Sequence, residues 1–187
     1  MNIIIFGPPG AVKGTQAKFL VKKLNSFQVS TGDMLRDEIN KDTDIGKKII
    51  NNMNDGKFVD DEIVNKLLEK IIFDSNKKNK LIFDGYPRTI NQAKNLEILL
   101  NKSNQKIDYI FFLNVNKDSI VRRIEKRKIV EKRIDDDANT ILKRYDTYME
   151  VTKPVLDYYS KNKNFHEVDG SMEISEISLK IEEIVSE

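Results

Sequence analysis

Residues 7–15 read Gly7-Pro8-Pro9-Gly10-Ala11-Val12-Lys13-Gly14-Thr15 and follow directly on the apolar run Asn2-Ile3-Ile4-Ile5-Phe6. Strand, glycine-rich turn, then helix is the layout in which backbone N–H groups and a lysine surround phosphate oxygens. Lys13 is placed to meet terminal phosphates, a helix beginning near Gly14 aims its positive end at them, and Thr15 offers a hydroxyl near a metal. The bland alternative is a glycine-rich turn with an incidental lysine. It leaves unexplained why the motif sits between a strand and a helix, as its mechanism requires. One residue departs from the pattern G-x-x-x-x-G-K: Val12 stands where glycine is usual.

The rest of the chain alternates strand and helix patterns. Apolar runs suited to buried strands occur at Ile3–Phe6, Leu81–Phe83 and Ile107–Leu113, with weaker ones at Phe27–Val29 and Phe165–Val168. Between them lie stripes at i, i+3, i+4, i+7 spacing: Ala17, Leu20, Val21 and Leu24; Val64, Leu67, Leu68 and Ile71; Ala138, Ile141, Leu142, Tyr145 and Met149; Ile174, Ile177, Ile181 and Ile184. This alternation predicts an α/β fold with a mainly parallel five-stranded sheet between helices on both faces. Ligands of such sheets sit at the carboxyl ends of the strands. Gly7 onward and Asp84 onward are therefore expected to face one cleft. Residues 30–59 are polar and broken by Gly32, Gly46 and Gly56, with Met34, Leu35, Ile45, Ile49 and Ile50 fitting small amphipathic helices. Residues 123–134 are dense in charge.

Composition removes several classes of function. With 32 basic and 30 acidic residues the net charge is +2, so nothing in the total argues for nucleic acid. The absence of cysteine excludes disulfides, thiol catalysis and cysteine-based zinc sites, and the single His166 makes no zinc site alone. No signal-peptide pattern and no apolar run of membrane-spanning length is present, so a cytoplasmic location without membrane partners is expected.

Two further constellations carry chemistry. Asp84, at the tip of the run Leu81-Ile82-Phe83, suits a Mg²⁺ shell, directly or through water, and its bland alternative is a cap. Arg88 follows the rigid Pro87 and can grip a phosphate bidentately. Arg123 and Arg127 share a helix face by their i, i+4 spacing, with Arg133 and Arg144 following. Phosphoryl transfer needs positive charge around the transferring group, which four converging arginines supply. A solvated charged helix is the alternative for any one of them. Asp135 and Asp136 read as ion-pair anchors for these arginines.

Taken in order, the segments Gly7-Pro8-Pro9-Gly10, Lys13-Gly14-Thr15-Gln16, Ser30-Thr31-Gly32-Asp33-Met34-Leu35-Arg36, Asp84-Gly85-Tyr86-Pro87-Arg88-Thr89, Arg133-Ile134-Asp135-Asp136, Arg144-Tyr145-x-x-Tyr148, Thr152-x-Pro154 and Tyr158-Tyr159 span nearly the whole chain. In this order they resemble the adenylate kinases of the nucleoside monophosphate kinase family. That resemblance implies a three-layer P-loop NTPase fold and the reaction MgATP + AMP ⇌ MgADP + ADP. It implies a core of residues 1–29, 60–122 and 135–187, an AMP-binding segment at 30–59 and a short lid at 123–134, without a metal-bearing insertion, so Mg²⁺ with ATP and no zinc. Gly10, Ala11, Val12, Lys13, Gly14, Thr15, Arg123 and Arg127 match positions toward ATP. Thr31, Arg36, Lys57, Val59, Gly85, Arg88, Gln92, Arg133 and Arg144 match positions toward AMP. Lys13, Arg88, Arg123, Arg133 and Arg144 match the charges around the transferred group, and Asp33 and Asp84 match positions near the Mg²⁺ water shell. Thr31 and the stretch Arg88-Thr89-Ile90-x-Gln92-Ala93 favour AMP over UMP or CMP. A monomer is expected.

Val12 sets the alternatives. A β-branched residue adapts worst to positive φ, and a Cβ obstructs close approach to phosphate. The chain then reads as a natural, locally compensated enzyme, as a variant with weakened ATP use, or as a non-catalytic nucleotide-binding relative. The first two keep every other signature residue at work. A hydrolase would also share the loop, but would need a residue to orient water and further effector segments.

Overall fold

In the computed structural model the described residues are 1–55, 57–116, 119, 120, 122, 123 and 138–186, with side chains described from 142 onward in the last segment. Arg127, Arg133, Asp135, Asp136 and, apart from Arg123, the expected lid lie outside them. Five strands form one parallel sheet: β1 (Ile3–Phe6), β2 (Phe27–Ser30), β3 (Leu81–Asp84), β4 (Tyr109–Asn114) and β5 (Phe165–Asp169), in the order β2-β3-β1-β4-β5. β1 lies at the centre with Ile3, Ile4 and Ile5 fully buried, which is why its sequence is apolar without alternation. β2 is an edge strand, and Phe27 is 40% exposed, so its apolar signal is weak.

The helices are α1 (Lys13–Leu24), α2 (Thr31–Asn40), α3 (Asp44–Asn54), α4 (Asp61–Ile72), α5 (Ile90–Lys102), α6 (Ala138–Thr147), α7 (Lys153–Tyr159) and α8 (Ile174–Ser186). Alternate residues of each strand serve opposite faces. Ile4, Phe6, Val29, Phe83 and Ile110 pack with residues of α2 to α5 and α7, whereas Ile3, Ile5, Ile82, Phe111 and Leu113 pack with α1 and α8. The result is the three-layer α/β/α arrangement expected from the motifs.

Strand register places the site. Ile5 of β1 and Ser30 of β2 both pair with Asp84 of β3. The carboxyl ends of these three neighbouring strands therefore open into adjacent loops beginning at Gly7, Thr31 and Gly85. The other end is pinned by Asn2, wholly buried, whose side chain donates to Lys106 O (2.9 Å) and accepts from Leu81 N (3.1 Å).

One helical stripe differs from its expected form. Leu142 is 40% and Met149 39% exposed, while Tyr148 is buried. The buried stripe runs instead through Tyr148, at i+3 from Tyr145, and a π turn over Tyr148–Thr152 carries it on to the buried Thr152.

Candidate active site

The phosphate loop is shaped by glycine at one end and strained at the other. A Cβ on Gly7 would lie 2.9 Å from Ala11 Cβ and 3.0 Å from the Leu113 carbonyl oxygen, so only glycine lets the chain leave β1 here. Ala11 N then donates to Pro8 O (3.1 Å), closing the turn. Lys13 folds back over the loop and its Nζ donates to Gly7 O (2.8 Å) and Pro8 O (2.9 Å). Between them Val12 sits at φ 52°, ψ 21°, in the left-handed region. For a β-branched residue this conformation costs about 1–3 kcal/mol. Its isopropyl group is partly buried against the apolar cluster that includes Ile3, Ile5, Ala17 and Leu20, and this packing offsets part of the strain.

That backbone conformation also decides how α1 begins. The N-caps of α2, α3, α4 and α5 (Ser30, Thr43, Asp60 and Thr89) each accept a backbone N–H with the side chain. Val12 gives α1 no side-chain cap, and the first turn of α1 holds no acidic residue. The positive end of α1 is thus left for an anion, with Lys13 beside it.

Asp84 stands against the same helix start. Its Oδ2 accepts from Gln28 Nε2 (3.0 Å) and would lie 3.3 Å from a Cβ on Gly14. Next to the exposed Thr15 this is a hard-oxygen environment compatible with a hydrated Mg²⁺. Asp33 instead pairs with Arg36. Among the described residues no three His, Asp or Glu side chains gather as a metal cage.

Beside the loop is a cavity walled by Gly7, Pro9 and Lys13 on one side and by Arg36, Lys57, Phe58, Val59, Gly85, Arg88 and Arg144 on the other. Arg88 is anchored: its Nε donates to Gly85 O (2.7 Å) and its guanidinium lies 5.2 Å from the Phe58 ring centroid, a cation–π contact. Thr31 Oγ1 donates to the same Gly85 carbonyl (3.0 Å). Gly85 has φ 75°, and a Cβ there would meet the Arg88 guanidinium at 3.1 Å. Desolvation of the guanidinium, then the nearby charge of Arg144, pushes the Arg88 pKa down to about 10, with Arg36 adding to the effect and Asp84 opposing it. A desolvated guanidinium facing the charges of Arg144 and Arg36 favours an anion in this cleft.

Not every candidate joins this cavity. Arg123 donates to Gly170 O (2.6 Å), Ser171 O (3.3 Å) and Met172 O (3.1 Å), the carbonyls of the turn after β5. Gln92 is 3% exposed and its amide is engaged, with Oε1 accepting from Arg88 N (2.7 Å) and Nε2 donating to Asp61 Oδ1 (2.5 Å). Sequence reading missed Asp61. It sits in the acidic run Asp60-Asp61-Glu62 at the head of an apolar-striped helix, where capping is the obvious role, and only the fold brings it to Gln92. It also missed that the hydroxyls of Tyr148 and Thr152, both lining the cavity, are buried without a hydrogen-bond partner.

Comparison with known proteins agrees with this geometry. The family model described as Adenylate kinase matches residues 5–164. Proteins named Adenylate kinase from Pelagibacter ubique (48% identical, 99% of each chain covered), Mycoplasma mycoides subsp. mycoides (41%, 90% of this chain and 91% of that one) and Bartonella henselae (39%, 99% of this chain and 100% of that one) are similar nearly end to end. Strand order, phosphate loop, arginine-lined cavity and full-length likeness coincide in one chain, which belongs to the adenylate kinase family.

Proposed function

We propose that the protein transfers a phosphoryl group from MgATP to AMP, giving two ADP, with ATP phosphates on the loop at α1 and the AMP phosphate among Arg36, Arg88 and Arg144. The observation that carries this reading is that Lys13 and those three arginines line a single cavity, so two anions can meet there. Bringing two nucleotide phosphates together is opposed by their repulsion. Lys13, the arginines and the start of α1 offset it, and they hold both partners in line. No strong base is needed, because the attacking AMP phosphate oxygen is already anionic. Mg²⁺, arriving with ATP, would neutralise phosphate charge; Thr15 and Asp84 are the residues suited to its water shell.

In the same reading, residues 30–59 bind AMP, with Thr31, Lys57, Val59, Gly85 and Gln92 around the nucleoside. The lid at 123–134 covers the ATP side, with Arg123 and Arg127 toward ATP, while Arg133 joins Arg144 toward AMP and the transferred group. Excluding water keeps ATP from hydrolysis. Val12 holds turnover below what a glycine loop would reach. In this reading the enzyme works as a monomer in the cytoplasm, in keeping with its likeness to the adenylate kinase family. No helix among the described residues is long and apolar enough to cross a membrane. The test is incubation with MgADP alone, followed by nucleotide separation. ATP and AMP in equal amounts support the reading. Free phosphate and AMP without ATP point to a hydrolase, and binding without turnover to a nucleotide sensor.

A further inference from the structure

The Gln92 amide is held from both sides by groups that have no choice of polarity. The Arg88 backbone N–H can only donate, and it meets Oε1 at 2.7 Å. The Asp61 carboxylate can only accept, and it meets Nε2 at 2.5 Å. Amide oxygen and nitrogen are interchangeable in shape, so their assignment rests on such neighbours, and here both agree. Asp61 is itself braced, because its Oδ2 accepts from Thr89 Oγ1 (3.1 Å), whose oxygen in turn accepts from Gln92 N (3.1 Å). The result is a closed ring linking the first turns of α4 and α5. After these bonds Gln92 retains one lone pair on Oε1 and one hydrogen on Nε2.

We infer that Asp61 is a positioning residue that fixes the direction of the Gln92 amide and thereby sets the preference for a 6-aminopurine over a 6-oxopurine nucleotide. The inference rests on the proposed reading, in which Gln92 meets the AMP base. An adenine edge offers a donor at N6 and an acceptor at N1, which an amide oxygen and an amide N–H match. A hypoxanthine edge offers an acceptor at O6 and a donor at N1–H, the reverse order. An amide free to turn would serve both; one pinned by Asp61 and Arg88 serves the first and leaves unpaired polar groups against the second.

The experiment compares kcat/KM for AMP and for IMP, with MgATP saturating, in the wild type, Asp61→Ala and Asp61→Asn, with thermal melts alongside. Asn keeps an acceptor for Nε2 and should hold the AMP:IMP ratio within about twofold, whereas Asp61→Ala should lower that ratio about fivefold or more, mainly through AMP. Should Asp61→Ala fail to melt cooperatively, Asp61→Ser replaces it, with a hydroxyl one bond too short for Nε2. Parallel losses for both nucleotides would mean that Asp61 only supports Arg88 or the fold, and an unchanged ratio would mean that it does not orient Gln92; either overturns the inference. A wild type that makes no ADP from AMP overturns the proposed function together with this inference, whereas activity on AMP with parallel losses overturns this inference alone.

Discussion

α1 and α5 both begin just after the carboxyl ends of neighbouring strands, β1 and β3, yet their first turns are opposites. α5 opens on Thr89 in an extended conformation (φ −123°, ψ 160°), its hydroxyl accepting from Gln92 N. α1 opens on Val12 in the left-handed region with no side-chain cap. Side-chain capping normally uses an extended N-cap residue, as at Ser30 and Thr43 as well. A left-handed N-cap departs from that geometry and leaves the backbone N–H groups to whatever approaches from the loop. The satisfied terminus organises side chains around it; the unsatisfied one is itself the binding group. In the proposed reading this divides the labour: backbone and one lysine for ATP, arginines and a braced amide for AMP.

The contrast breaks most visibly at Lys13. Its Nζ donates to two loop carbonyls, and its side chain is only half-buried. Lys13→Ala should reduce turnover by about 10²–10³-fold while shifting the melting midpoint by no more than about 2 °C. Near-normal turnover by coupled assay would show that the α1 side does not carry the transferred phosphate.

Arg88→Met tests the other side. It keeps the stem against Phe58 and removes a charge that the fold disfavours. The expected result is a rise of roughly 10- to 100-fold in KM for AMP with ATP affinity little changed. The sign for stability is opposite to the sign for function. Burial and the neighbouring charge of Arg144 hold the Arg88 guanidinium pKa below its ordinary value. The charged group is therefore less favourable in the folded protein than in the unfolded chain. Arg88→Met should raise the melting midpoint of the unliganded protein by about 1–3 °C. A lower midpoint would mean that the Gly85 and Phe58 contacts outweigh the repulsion from Arg144 and Arg36.

Thr89→Ala sharpens the comparison more gently. Losing an N-cap hydroxyl costs about 1 kcal/mol, roughly 2–4 °C for a chain of this size. Because Thr89 also donates to Asp61, AMP use should fall while ATP binding holds. Equal damage to both substrates, by paired titrations, would show that the two termini are not separate devices.

What the sequence made legible follows the same division. β1 and β3 are readable because strands buried on both faces are uninterrupted apolar runs, and the loop is readable because its chemistry is contiguous. The cap of Thr89 on Gln92 N is local, three positions apart. The Asp61–Gln92 bond spans 31 positions, and neither residue type announces the other. Tyr148 against Met149 was unreadable for another reason: they stand at i+3 and i+4 from Tyr145, and helical spacing alone does not choose between them. The Arg123 contacts with the turn after β5 join residues 47 to 49 positions apart, whereas helical spacing had only paired Arg123 with Arg127.

The smallest expected effect is the most informative, because it falls on the one residue that differs from the loop pattern. Val12→Gly relieves a left-handed β-branched conformation, worth about 1–3 kcal/mol, and gives up the packing of an isopropyl group on the cluster of Ile3, Ile5, Ala17 and Leu20. That packing is worth about 1–2 kcal/mol for a partly buried side chain, and glycine adds ~0.5–1 kcal/mol of unfolded-chain entropy. The terms nearly cancel, so the melting midpoint should move by less than about 3 °C in either direction. Turnover does not share this cancellation. A loop without the Cβ can adjust to the phosphates without distorting a packed side chain, and a relief of ~1 kcal/mol in the transition state is about fivefold in rate. Paired kinetics at saturating Mg²⁺ on both proteins should therefore show a several-fold gain for glycine at nearly constant stability. Equal or lower turnover would show that the isopropyl group holds the loop in its working shape, and that α1 here is preorganised through its packed side chain and not only through the freedom of its backbone.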